Sequence, residues 1–292
     1  MPMRRFSSFA CFDWSGQAVP RPRGIALAIA HTDEPPALVE RHKGWSRSAA
    51  LDWLMDQATN GSDMLIGMDL SAGFPFADHG AFFPGWHESP PGAASLWAMV
   101  DTICASDDHL GAGSFIGHDQ ARRYFRHAGQ LGDRYGPHRA GRLRVVEQES
   151  RRQGIANPYS SLNLVGAAQV GKSSLTGMRL LHRLGGAIPI WPFDPVPTRG
   201  PMIVEIYTSL AAVAAGLPRG RTKIRTWDSL SQAIGALGSR LPDLLHLPDD
   251  HGCDALLTAA WLRRASENTA LWSPAALTLK IAQTEGWTFG VS

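Results

Sequence analysis

Two short apolar runs, Met64–Met68 and Met202–Tyr207, constrain this chain more than any other feature. Each has the length of a strand and is nearly unbroken by polar residues, the pattern of a β-strand covered on both faces. Yet each carries a carboxylate: Asp69 ends the first run and Glu205 sits within the second. Two more acids interrupt apolar surroundings, Asp13 in F-A-C-F-D-W-S-G and Asp254 in H-G-C-D-A-L-L-T-A-A-W. Burying an ionised carboxylate without a partner is costly, so each needs a cation, a hydrogen-bond network or an exposed strand end. A shared cation would satisfy all four, and magnesium or manganese, as hard divalent ions, prefer oxygen ligands. Neighbouring strands lie roughly 4.8 Å apart, so acids at equivalent heights on three of them reach a common metal pair. Asp250, one helical turn before Asp254, is a further candidate. Taken singly, each acid has a plainer use: Asp13 as a turn former, Asp249 or Asp250 as a helix cap, Glu205 as an arginine's partner.

The flanking patterns supply the rest of a frame. Phe6–Trp14, Gly24–Ala30 and Leu38–Trp45 read as three strands whose short connections favour antiparallel pairing. Ser46–Thr59 has an amphipathic helix period with Ser46 or Ser48 as its cap, and Asn60-Gly61 closes it before Met64–Met68. From Gly73 to about Asn163 the periodicity fades, and Ala93–Cys104 and Asp119–Gly129 read as short helices within an insertion at about 74–165. Leu175, Met178, Leu181 and Leu184 then mark one stripe of a helix over Ser174–Leu184. Ser229–Leu237 and Ala255–Arg264 read as helices, with Asp249, Asp250 and Asp254 at the N-terminal end of the latter, and Gly286–Gly290 as a final short strand or hairpin end.

Charge is informative only locally. The chain of 292 residues carries a net charge of +2, which argues for no particular partner, but residues 118–154 hold nine arginines against four acids. Arg122, Arg123, Arg126, Arg142 and Arg144 are therefore candidate contacts for a phosphate backbone, unless the stretch is simply a solvated face. Three scattered cysteines, no C-x-x-C pair, no signal-like leader and no run of membrane-spanning length point to a cytoplasmic protein. Gly166–Ser173, G-A-A-Q-V-G-K-S, fits the phosphate-loop pattern at every fixed position. The residues before it make a poor buried strand, and too few strands follow to rebuild a nucleotide-hydrolase sheet, so a plain helix start is the stronger reading, with Lys172 left as a candidate phosphate contact.

The stretches F-D-W-S-G at 12–16, G-M-D-L-S-A-G-F-P at 67–75, W-P-F-D at 191–194, V-E-I-Y-T-S at 204–209, D-H-G-C-D-A-L at 250–256 and E-G-W-T-F-G-V at 285–291 span nearly the whole chain. In order and spacing they resemble the predicted RNase H-like nucleases, number 429 among the domains of unknown function. The resemblance implies one α/β domain over 1–292, with a mixed five-stranded sheet, helices on both faces and a helical, Arg-rich insertion between the fourth and fifth core strands. It implies Asp13 as the central metal ligand, Asp69 and Asp254 as its partners and Glu205 as a nearby fourth acid, in an arrangement closer to Holliday-junction resolvase than to RNase H itself. Thr208 stands where such relatives are expected to carry proline.

The expected function is thus a metal-dependent phosphodiester hydrolase acting on DNA or RNA. Asp13, Asp69, Glu205 and Asp254 would hold two magnesium or manganese ions, with Asp250 as a further acid and His251 as a proton shuttle. A resolvase-like role would require a homodimer. The competing readings are an actin-like or phosphate-loop ATPase or phosphotransferase, and a non-catalytic nucleic-acid-binding module.

Overall fold

The computed structural model describes residues 4–137, 140–166 and 170–292. Three strands open the chain: β1 (Ser8–Asp13), β2 (Ala26–His31) and β3 (Ala37–Leu38). Helix α1 (Arg47–Asn60) follows, then β4 (Met64–Met68), α2 (Ala93–Ile103), α3 (Gly113–Gly117) and a small hairpin, β5 (Arg126–His127) with β6 (Gln130–Leu131). Next come α4 (Val145–Arg152), α5 (Val170–Arg183), β7 (Ile190–Trp191), β8 (Met202–Glu205) and α6 (Thr208–Ala214). The chain ends with α7 (Trp227–Ala236), α8 (Asp250–Ala265), α9 (Thr269–Trp272) and α10 (Leu279–Gln283). No helix among the described residues is long and apolar enough to cross a membrane.

The protein is mixed α/β, with a central sheet of six strands in the order β3-β2-β1-β4-β8-β7. Short links make β1, β2 and β3 antiparallel, whereas β4, β8 and β7 run parallel to β1; β4 and β7 are reached through helical segments, and β8 follows β7 through the irregular link 192–201. The sixth strand, β7, was not expected from sequence because it has only two residues. β3 is also shorter than the expected Leu38–Trp45: Glu40-Arg41-His42-Lys43-Gly44 is exposed and polar, with nothing to pair against. Asp119–Gly129 is not a helix. It is a single 3₁₀ turn at Ala121–Tyr124 and then the β5–β6 hairpin, whose turn residues Ala128 and Gly129 take φ of 49° and 80°, as a tight two-residue turn requires.

Side-chain alternation divides the sheet into two cores. Phe12, Ile66, Met68 and Ile203 point to the face covered by α1, α2 and α5, and Phe74, Phe83, Phe115 and Phe125 of the insertion belong to the same cluster. Cys11, Leu65, Val204 and Ile206 point to the other face, under α6, α7 and α8. The helix caps follow local chemistry: Ser46 accepts from the Ala49 amide, Gly61 closes α1 with φ 61°, and Asp249 accepts from the Gly252 amide to start α8.

The β1–β2 loop leaves the sheet beside Asp13 and is held from below. Arg47, buried at the start of α1, donates to the carbonyl oxygens of Ser15, Gln17 and His109. Burial and the nearby Arg179 pull its guanidinium down to about 10. Gly16 of this loop lies directly on the start of α5, where a Cβ would fall 2.3 Å from the Lys172 carbonyl carbon and 2.5 Å from the Ser173 amide nitrogen. Gly16→Ala is therefore expected to cost about 1–3 kcal/mol, read as a lower urea midpoint, because backbone rather than a flexible side chain must move.

Candidate active site

Parallel strands place their C-terminal ends together, and the acids lie at that end. Asp13 is the last residue of β1, and Asp69 follows β4 with its amide bonded to the Phe12 carbonyl at 3.0 Å. Asp254 comes from the second turn of α8, which packs on the sheet face that carries Cys11 and Ile206. These three aspartates open into a cleft of about 1010 Å³ with Lys172, Lys223 and His251 on its walls.

Glu205 lines the same cleft but faces away from that group, because it stands one residue out of register. Phe12 pairs with Met68 and Met68 with Glu205, so Glu205 shares the sheet face of those two side chains, opposite to Asp13. There Arg144 grips it with two bonds, Nη1 to Oε2 at 2.9 Å and Nη2 to Oε1 at 2.6 Å. The Ala72 amide and the Thr288 hydroxyl, at 2.8 and 2.5 Å, occupy the remaining oxygen positions. Glu205 is thus a buried partner of an arginine, which corrects its expected place among the metal ligands. Asp250 is also corrected: it sits in the first turn of α8, outside the cleft, and pairs with Arg225.

Crowding governs the electrostatics of the three remaining acids. The Asp69 carboxyl is pushed well above the usual aspartate range, by burial first, then by the charges of Asp13 and Asp254 and by a hydrogen-bonding contact with the Asp13 carboxyl. Thr208 Oγ1 lies 3.4 Å from Asp69 Oδ2. Asp254 is raised by burial, against the pull of Lys223, whose Nζ lies 2.5 Å from its Oδ2. Burial opposes the Lys223 ammonium, but the three aspartates outweigh it and hold its pKa above the ordinary lysine value. His251 Nδ1 lies 2.7 Å from Asp13 Oδ2, and that bond raises the imidazole above its usual range although burial opposes it.

No protein-family model, curated protein or solved structure matches this chain.

The expected basic surface divides into separate parts. Arg126 and Lys172 line the cleft, and neither has a carboxylate partner among the described residues. Arg122 and Arg123 lie elsewhere, paired with Asp119 and Asp133 around another surface depression. Arg142 and Arg144 are corrections. Arg142 is buried inside the insertion, bonded to Asp78 and to the carbonyls of Pro75, Ala81 and Phe82, and Arg144 is taken up by Glu205 and Glu147. Of the stretch Gly166–Ser173, residues 167–169 lie outside the described residues; Val170 already opens α5, so Gly171 and Lys172 are helical. The segment before it contributes only an isolated bridge between Asn163 and Arg126, not a buried strand.

Sequence reasoning missed Lys223 as a neighbour of the acids and noted Thr208 only as a departure from an expected proline near Glu205, not as a partner of Asp69. Lys223 lies in an irregular loop of mixed basic and polar residues with no pattern to single it out. Its residue type was the available signal, since the chain has only four lysines and two of them, Lys172 and Lys223, line the cleft.

Among the described residues no group of three or more His, Cys, Asp and Glu side chains is placed to hold a metal ion. With Lys223 on Asp254 and His251 on Asp13, basic side chains meet part of the demand that the acids create. The three aspartates are nonetheless oxygen donors, the ligand type hard divalent ions prefer, and burial together with their mutual charge raises Asp69 and Asp254.

Proposed function

We propose that this chain is a metal-dependent phosphodiester hydrolase acting on nucleic acid, built on an RNase H-like fold. The fold reading is supported by the strand order, in which an antiparallel three-stranded start is extended by strands parallel to β1. The observation that carries the function is the meeting of Asp13, Asp69 and Asp254, from three distant parts of the chain, in one cleft lined by lysines.

Magnesium or manganese would be held by these three aspartates; with Glu205 committed to Arg144, they are the acids left for it. When bound, such an ion lowers the pKa of water and steadies a departing oxygen. The chain's own groups supply the rest. Asp13 holds the imidazole of His251 through Nδ1, which leaves Nε2 to take or give a proton. Lys223 reaches the acids with a side chain that is still 48 % exposed, so it can turn from Asp254 to a phosphate oxygen. Lys172 and Arg126 hold the flanking phosphate chain.

The test uses labelled DNA and RNA, with and without manganese, comparing the natural protein with Asp13→Asn. Metal-dependent cleavage that the variant loses is the expected result. Cleavage that persists unchanged in the variant would point to another site or to a contaminant and end this reading.

A further inference from the structure

We infer that the cleft accepts nucleic acid as a single strand, with a base stacked on Tyr159 and the flanking phosphates on Lys172 and Arg126. The inference rests on the hydrolase reading above for the identity of the polymer, and adds which form of it can enter.

Three observations point the same way. Tyr159 is 59 % exposed, although it lines a cleft in a protein whose other three tyrosines are buried or partly buried. An aromatic ring left uncovered at the wall of a cleft, and stacked on no other ring among the described residues, offers a flat face, and every base has a matching face. Tyr159 also shares the cleft with the acids: it lines the same walls as Asp13, Asp69 and Asp254, and Tyr207 lines them too.

Two cations of the cleft, Arg126 and Lys172, come from backbone segments that are joined to each other. Arg126 follows the 3₁₀ turn and bridges to Asn163, while Lys172 sits on the first turn of α5. The Asn163-Leu164 segment links their backbones: the Leu164 amide donates to the Arg126 carbonyl at 2.9 Å, and the amide of Gly171, next to Lys172, donates to the Asn163 carbonyl at 3.0 Å. With no carboxylates of their own among the described residues, Arg126 and Lys172 remain available to an incoming anion.

Depth decides between the two forms of substrate. Asp13 and Asp254 are only 5 % and 8 % exposed, so a phosphate must descend into the cleft to reach them. A duplex is stiff and carries its phosphates on a convex surface, with its bases paired inside and unable to meet Tyr159. A single strand bends inward and can splay a base onto an aromatic ring while its backbone follows the cations.

The experiment measures binding, not cleavage. A short labelled oligonucleotide and its blunt duplex are titrated by fluorescence anisotropy against Asp13→Asn protein in magnesium, alone and combined with Tyr159→Ala or Tyr159→Phe. The single strand is expected to bind at least about tenfold tighter than the duplex. Tyr159→Ala should lose about tenfold on the single strand and nothing on the duplex, and Tyr159→Phe should keep most of the affinity because stacking needs the ring and not the hydroxyl. Because Tyr159 is exposed, an unchanged melting curve for both variants is expected and separates lost contact from lost fold. Equal or tighter duplex binding, or an Ala variant that binds as before, overturns the inference while leaving the hydrolase reading in place. No binding of either form overturns both.

Discussion

Arg144→Ala is expected to lower the stability of the protein by about 3–5 kcal/mol, seen as a large fall in the urea midpoint, because it leaves two buried carboxylates without their cation. Arg144 is 2 % exposed and makes its bonds to Glu205 at 2.6 and 2.9 Å and to Glu147 at 3.0 Å. It also donates to the Glu285 carbonyl at 3.0 Å, joining the insertion to the C-terminal segment. The Glu285 carboxylate completes that joint by accepting from the amides of Phe76, Ala77 and Val145. Glu147 is already raised by burial even with Arg144 present, so losing the guanidinium would drive it to take up a proton. Replacing Arg144 and Glu205 together by Met and Leu should recover part of the loss, since the cost lies in the orphaned charge more than in the absent pair. A fall below about 1 kcal/mol for Arg144→Ala would show that the remaining donors, Ala72 and Thr288, suffice for Glu205.

Asp69→Asn is expected to act in opposite directions on activity and stability. Metal-dependent cleavage should fall by more than about 100-fold, since even the outer partners of a metal site are worth 10- to 100-fold. Stability at neutral pH should rise, because the substitution removes a carboxyl that burial and two like charges disfavour. The pH dependence gives the sign. Asp69 and Asp254 both have folded pKa values raised above the unfolded ones, so the native state binds the extra protons. Their contribution is complete below the ordinary aspartate range and is lost as pH rises through the raised values. His251, also raised, adds a decline in the same direction above the ordinary histidine range. These groups should therefore subtract stability from acid toward neutral pH in the absence of divalent ions, against the opposite contribution of Asp78, Asp101 and Asp107, whose carboxyls are lowered, and Asp69→Asn should remove part of that subtraction. Added manganese should restore stability to the natural protein more than to the variant, as any ligand of the native state does. A pH profile identical in the two proteins would mean that Asp69 is not crowded as described.

The sequence by itself determined four of the strands, β1, β2, β4 and β8, and where their charges fall, but not the two-residue β7 or the short extent of β3. Met64–Met68 is too uniformly apolar to sit at a surface, and β4 occupies those residues; the acids of F-D-W and M-D-L were visible as exceptions to burial. The hairpin start, the helix capped by Ser46 and the helix that carries Asp254 were legible for the same reason, because periodicity and capping are local properties. Periodicity could not say which acids share a face. Glu205 lies at the height of Met68 rather than of Asp69, and one residue of register turns its side chain through the sheet to Arg144, a choice made only when β4 and β8 pair. Arginine composition likewise could not separate Arg142 and Arg144, which hold the insertion in place, from Arg126, which opens to the cleft. Lys223 stands beside Asp254, thirty-one residues away in the chain, because packing brings its loop over the start of α8. Local pattern dictates the elements; pairing and packing between distant segments decide which of their charged side chains meet.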